Sequence, residues 1–252
     1  MFDYHGRVAV ITGGSSGLGV LCANALAARG CDVVLAARRF EILDKNAQAL
    51  REQYGVKAIP VRCDVTKEDQ VIAARELVEK EFGRCDILIN CEGHNDWAID
   101  LALEKWQATI DVCVTGLFLM CREFGKLMRE HNYGRIVNVA SMLGMIALDS
   151  SFGRGISEYS ASKGAVINFT RQLANEWAQY GITVNTLSPG FFASEQSPVG
   201  QGWFADFINT WCPMKRNGSD HELDAAIIFM TCEENSYMTG NNVVIDGGWT
   251  CT

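Results

Sequence analysis

Seven short runs along the chain, at 8–12, 32–36, 58–62, 87–90, 135–139, 183–187 and 243–245, are mostly apolar and lack the strict apolar/polar alternation of a strand with one wet face. Strands of that kind are covered on both sides. Helical spacing fills most of the intervals, over 20–29, 40–54, 67–82, 104–129, 158–180 and 220–230, and an aromatic-rich stretch lies around 203–211. Covered strands alternating with helices imply an α/β fold with a doubly wound parallel sheet. At 252 residues the chain is long enough for one large domain or two small ones. Only four prolines occur and no Pro/Ser-rich linker breaks the alternation, so a single domain over 1–252 is expected. In such a sheet ligands bind beyond the carboxyl ends of the strands, and the loops after each strand are where chemistry is sought.

The loop after the first run reads Thr12-Gly13-Gly14-Ser15-Ser16-Gly17-Leu18-Gly19 and leads directly into a helix. Glycines here let the backbone turn tightly and approach a pyrophosphate, which the unpaired N–H groups and dipole of the helix N-terminus attract. A purely geometric glycine turn is the alternative. With 48% hydrophobic and 21% charged residues the chain is globular rather than disordered. Its net charge of -8 and lack of a basic block argue against nucleic acid or an anionic membrane as partner, and favour a small molecule. No apolar run reaches the ~18 residues of a membrane span, and residues 1–7 do not read as a secretory signal. Ten cysteines without a C-x-x-C pair, irregularly spaced in a chain this long, read as small buried hydrophobes in a reducing cytoplasm rather than a disulfide framework. His5, His131 and His221 are scattered and suggest no metal cluster.

From Gly6 to Thr250 the chain resembles the short-chain dehydrogenase/reductase family, in its short, single-domain, Rossmann-like branch. The resemblance is carried by the T-G-x-x-x-G-x-G loop, Asp64, Asn90 and Gly93 in a degraded N-N-A-G, Ser141, the stretch Tyr159-Ser160-Ala161-Ser162-Lys163, Asn185, Pro189-Gly190 and Asp246-Gly247-Gly248. It implies a nicotinamide cofactor held by Gly13, Ser15, Ser16, Gly17, Leu18 and Gly19 at the pyrophosphate. Asp64 belongs at the adenine and Pro189, Gly190, Phe192 and Ser194 at the nicotinamide end, with Val65, Asn90, Gly93, Tyr159 and Lys163 as further cofactor contacts. It also implies a homotetramer. Residues 159–170 and 189–195 are closest to relatives acting on sugar acids and polyols, although relatives acting on steroids or acyl-carrier-linked ketones share most of the same residues.

Cofactor choice rests on the tip of the second strand, Leu35-Ala36-Ala37-Arg38-Arg39. A carboxylate there would accept from the ribose 2′-hydroxyl of NAD, whereas arginine accommodates the 2′-phosphate of NADP. With no carboxylate present and a guanidinium that forks onto phosphate, Arg38 and Arg39 favour NADP, with NAD the alternative.

Tyr159 and Lys163 are four apart on a helix and share a face. An ammonium ~4 Å from a phenol, at an effective dielectric of ~20, is worth roughly 4 kcal/mol toward the phenolate, while burial opposes it. On this reading Tyr159 exchanges a proton with the substrate oxygen, Ser141 donates a hydrogen bond to it, and Lys163 binds the nicotinamide ribose as in the family.

Two positions depart from the family. Cys113, in Asp111-Val112-Cys113-Val114-Thr115-Gly116, stands where relatives carry an asparagine that holds a relay water, and a thiol is a weak donor and acceptor. In Asn90-Cys91-Glu92-Gly93, Cys91 replaces asparagine and Glu92 replaces alanine. Glu92 either substitutes for the missing relay partner or points to solvent. His94, Asp96 and Trp97 are pocket-lining or ordinary loop residues. Phe191, Phe192, Trp203, Phe204, Phe207 and Trp211 form either a lid at about 191–215 or a piece of core or subunit contact; a lid would make the pocket largely apolar, with few charged anchors. The expectation is an NADP(H)-preferring oxidoreductase interconverting ketone and secondary alcohol. The competing class is a nucleotide-binding relative with lost catalysis, for which Cys113 and Glu92 are the evidence.

Overall fold

The computed structural model describes residues 2–193, 199 and 202–251. Seven parallel strands form one sheet in the order β3-β2-β1-β4-β5-β6-β7, with β1 at Val8–Thr12, β2 at Asp32–Ala37, β3 at Ala58–Arg62, β4 at Ile87–Asn90, β5 at Gly134–Val139, β6 at Ile182–Pro189 and β7 at Asn242–Ile245. The helices are α1 (Gly17–Ala27), α2 (Phe40–Tyr54), α3 (Glu68–Phe82), α4 (Leu103–Ile110), α5 (Leu117–Glu130), α6 (Ser157–Trp177), α7 (Gly202–Trp211) and α8 (Asp224–Thr231). All seven expected strands are present.

The two-residue repeat of a strand divides the sheet between two cores. Val8, Val10, Val34 and Leu88 face one side, where they meet Met120, Phe124 and Leu127 of α5 and Val166 of α6. Ala9, Ile11, Val33, Leu35, Ile87 and Ile89 face the other, against Leu26 of α1, Leu43 of α2 and Ile227 of α8. Each fully buried leucine or isoleucine in these layers contributes about 1.5–3 kcal/mol. Pro60 lies in β3, an edge strand of the sheet, a place that tolerates a missing backbone donor.

The stretch expected to be one helix over 104–129 is interrupted. Asp111–Gly116 forms a π-helical turn between α4 and α5. The extra residue in this wider turn widens the helix locally, a device that recurs at functional sites. Its residues keep a helical spacing, so periodicity alone does not reveal it. Cys113 lies in this turn and is buried.

The strand order reverses beside β1, because β1 leads outward to β2 on one side and pairs with β4 on the other. The carboxyl ends of these strands part there and leave a crevice.

Candidate active site

The crevice is a cleft of about 440 Å³ running from Arg38 and Arg39 at one end to Ser141, Tyr159 and Lys163 at the other. Gly13, Ser15, Ser16, Gly17 and Leu18 form its wall above β1. Ser16 is the extended residue before α1, yet its side chain does not cap the helix, and no acidic residue occupies the first turn. The first N–H groups of α1 are thus left for an anion. Gly19 faces inward rather than lining the cleft: a Cβ there would stand 2.4 Å from the Gly13 carbonyl oxygen. Its contribution is to let α1 pack against the loop.

Asn46 was not singled out from the sequence, yet its side-chain amide donates to the carbonyls of Gly14 at 3.0 Å and Ser15 at 3.3 Å and so fixes the loop from α2. Arg39 Nη2 donates to the hydroxyls of Ser15 at 3.0 Å and Ser16 at 2.9 Å. Arg38 is exposed at the cleft margin. Farther along, Asp64 and Val65 line the cleft. The Asp64 carboxylate accepts from the Thr66 amide at 3.0 Å and hydroxyl at 2.8 Å, which fixes its orientation.

Asn90 lies beneath the floor, not in the wall. It is buried, and its amide donates to Asn138 Oδ1 at 2.8 Å, coupling β4 to β5. Gly93, Cys91 and Glu92 beyond it do line the cleft. The solvent-facing alternative for Glu92 does not hold. Its carboxylate accepts a hydrogen bond from the Thr12 hydroxyl, while Oε1 is buried with no partner. Thr12 in turn accepts from the Cys91 amide at 2.9 Å. Burial raises the Glu92 carboxyl above its usual range, against the pull of the Thr12 hydrogen bond and the Lys163 charge.

At the reacting end, Ser141 follows β5, is buried, and its oxygen accepts from the Leu143 amide at 3.2 Å. Lys163 Nζ donates to the carbonyls of Val139 at 2.9 Å and Glu92 at 3.1 Å and stands 5.5 Å from the centre of the Tyr159 ring. Burial raises the Tyr159 phenol; Lys163 and Ser141 pull it back without reversing the shift, and Cys113 adds to it. For Lys163, burial pulls the ammonium down, but Tyr159, Cys113 and Glu92 outweigh it and hold it above the ordinary lysine range. The resting pair is a neutral phenol beside a charged amine.

On the substrate side the predicted residues separate. Pro189 and Gly190 line the cleft, whereas Phe192 is buried, with its ring where a Gly218 Cβ would be, and lines a second cavity of about 420 Å³ with Met214 and Trp249. Ser194 lies outside the described residues. Phe204 and Phe207 are buried with Phe152 and Trp249, so this part of the aromatic stretch is core; Trp203 and Trp211 remain 45% and 42% exposed. His94 is paired through Nε2 with Asp96 at 3.2 Å, and Asp96 also accepts from Lys105 at 3.1 Å.

A glycine loop opening onto an uncapped helix, with a Tyr/Lys pair and a serine across the same cleft, defines a nucleotide-dependent oxidoreductase on a doubly wound sheet. The family model for enoyl-(acyl carrier protein) reductase matches residues 13–250. The crystal structure of a short-chain type dehydrogenase/reductase from Mycobacterium marinum superimposes with a TM-score of 0.92 at 36% identity, covering 100% of this chain and 98% of that one. The chain belongs to the short-chain dehydrogenase/reductase family and is an oxidoreductase. D-threitol dehydrogenase of Mycolicibacterium smegmatis is 35% identical over 99% of this chain and 95% of its own length. A gluconate 5-dehydrogenase from Burkholderia cenocepacia J2315, solved in complex with NADP and tartrate, has a TM-score of 0.93 at 31% identity and covers 100% of this chain and 98% of that one. No described helix is long and apolar enough to cross a membrane.

Proposed function

We propose that the chain transfers hydride between NADP(H) and a ketone or secondary alcohol carried on a sugar acid or polyol. The observation that carries this reading is the placement of Tyr159, Lys163 and Ser141 in the same cleft as the open N-terminus of α1. The cleft residues fit such a cofactor: Gly13 and Gly17 leave the wall bare, α1 offers free donors to a pyrophosphate, and Arg38 and Arg39 stand where a 2′-phosphate would be met. When bound, the nicotinamide supplies or accepts the hydride.

The remaining chemistry belongs to the side chains. Tyr159, neutral at rest, donates its proton to the oxygen of a carbonyl as it gains negative charge, and Lys163 stabilises the phenolate left behind. Ser141 donates a hydrogen bond to the same oxygen. Glu92 and Cys113 stand around Lys163, where relatives carry alanine and asparagine, and on this reading the buried Glu92 carboxyl joins the proton path. The D-threitol and gluconate relatives support the polyhydroxylated substrate class. The part of 191–215 bearing Trp203 and Trp211 is read as a substrate lid. All ten cysteines are free, which fits a reducing cytoplasm. Exposed Leu103, Trp106 and Phe118 around the α4–α5 region fit a homo-oligomer, a tetramer by family resemblance.

The test is NADPH binding by fluorescence, followed by NADPH oxidation across a panel of ketoses, keto acids and neutral ketones. Binding with turnover of at least one ketone is expected. Tight binding without turnover on any would favour the nucleotide-binding alternative, and no binding would remove the cofactor assignment.

A further inference from the structure

Between the Ser141 loop and α6, Arg154 projects into a cage. Its guanidinium carbon lies 5.0 Å from the centre of the Trp203 ring and 5.8 Å from that of Trp97. Trp203 lies in the first turn of α7, and Trp97 packs, like Tyr159, against the cluster that holds Phe204 and Phe207 of that helix. Arg154, five residues before Tyr159 in sequence, therefore bridges the start of α7 and the Trp97 loop, which packs on the same apolar cluster as Tyr159. It is exposed and makes no hydrogen bond or ion pair with any described residue, so its fork of N–H donors faces solvent and is open to a ligand.

The cage is held in a conformation that a plain surface loop would not keep. Trp97 has φ +57°, in the left-handed region that a bulky aromatic rarely adopts. Two contacts hold the loop there. Glu158, wholly buried at the start of α6, accepts from the Asp96 amide at 3.2 Å, and its other oxygen has no partner. Gly155 lies so close to the same loop that a Cβ would stand 2.1 Å from the Ala98 carbonyl. Strained backbone held by its surroundings marks sites where a side chain must be placed. The side chain placed here is an indole that supports a cation.

We infer that Arg154 is the specificity-determining residue that binds a carboxylate on the substrate, while Tyr159 and Ser141 hold the reacting oxygen. A planar guanidinium backed by two aromatic faces presents its edge, which matches a carboxylate through two parallel N–H···O bonds. A neutral polyol offers no charge to satisfy it. The inference rests on the proposed reaction at Tyr159 and narrows its substrate class to hydroxy or keto acids.

D-gluconate and D-glucitol test it, since they differ only in a carboxylate or a CH2OH at C1. The kcat/KM ratio of gluconate over glucitol, with NADP or NAD, is measured for the wild type, Arg154→Gln and Arg154→Lys. The wild type is expected to prefer gluconate. Arg154→Gln should lower the ratio by roughly 10- to 100-fold, mainly through a higher KM for gluconate, and Arg154→Lys should recover part of it. An unchanged ratio, an equal fall for both substrates, a wild-type preference for glucitol, or turnover of neither would overturn the inference. Turnover of other ketones in the same wild-type preparation separates that failure from failure of the reaction itself.

Discussion

Lys163 Nζ stands 5.5 Å from the centre of the Tyr159 ring and is itself held by the carbonyls of Val139 and Glu92. Burial raises the phenol in spite of that charge, so the resting site holds a proton ready to give. Ketone reduction is expected to be flat across about pH 6 to 8, and alcohol oxidation to climb with pH through the alkaline range. Lys163→Met should cost about 10²- to 10⁴-fold in kcat and move the alkaline limb upward. pH profiles in both directions check this; a limb left in place by the substitution would show that the ammonium does not tune the phenol.

The Glu92 carboxyl is raised by burial, and its Oε1 has no partner. A carboxyl raised in the folded state favours the protonated form, so its stabilising effect is complete below the unfolded value of about 4.3 and is lost as pH rises through the higher folded value. Lys163, Cys63 and Cys121 are the titratable neighbours that stay in place. Glu92→Gln should therefore unfold at a higher temperature than wild type at neutral pH, by roughly 2–4 °C for about 1 kcal/mol, with the gap closing near pH 4. Thermal melts at the two pH values decide it; a gap of equal size at both would mean that the carboxyl does not titrate there.

Cys113 is buried in the π-helical turn on the side of Tyr159 and Lys163. An amide accepts and donates where a thiol does so weakly. Cys113→Asn is expected to raise kcat by roughly 3- to 10-fold, a fraction of what acid–base catalysis supplies, with little change in KM. Steady-state kinetics on a variant shown to fold by its melting curve provides the measurement. Unchanged or lower turnover would mean that the site has adapted around cysteine.

Arg38 is exposed at the cleft margin, while Arg39 is engaged with Ser15 and Ser16. Arg38→Asp should lower the NADPH/NADH ratio of kcat/KM by roughly 10- to 100-fold, the worth of one to two charge-assisted hydrogen bonds. A ratio that stays constant would assign Arg38 to the solvated surface and leave the cofactor preference to other residues.

The strands were readable because most are covered on both faces, and the glycine loop because its spacing, followed by a helix, has a geometric meaning. Tyr159 and Lys163 were readable as a pair because four residues make one helical turn. What escaped depends on single orientations that no period encodes. Glu92 is turned inward by one hydroxyl on β1, Phe192 by the open space over Gly218, and Asn90 sits beneath the cleft because β4 meets β5 through its amide. Arg154 escaped for another reason: its aromatic supports come from a loop and a helix distant in sequence, and only the folded chain brings them together.

The π-helical turn at Asp111–Gly116 also sets a phase between two helices. Each residue of a helix advances about 100° around its axis. A π turn absorbs that angle by widening, so deleting its extra residue would close it to an ordinary α-helical turn and leave Met120, Phe124, Leu127 and Met128 of α5 against the sheet they now cover. The same deletion would displace Cys113 from Tyr159 and Lys163. The extra residue is therefore tied to the active site rather than to the core, since its removal would spare the packing of α5 and cost the position of Cys113.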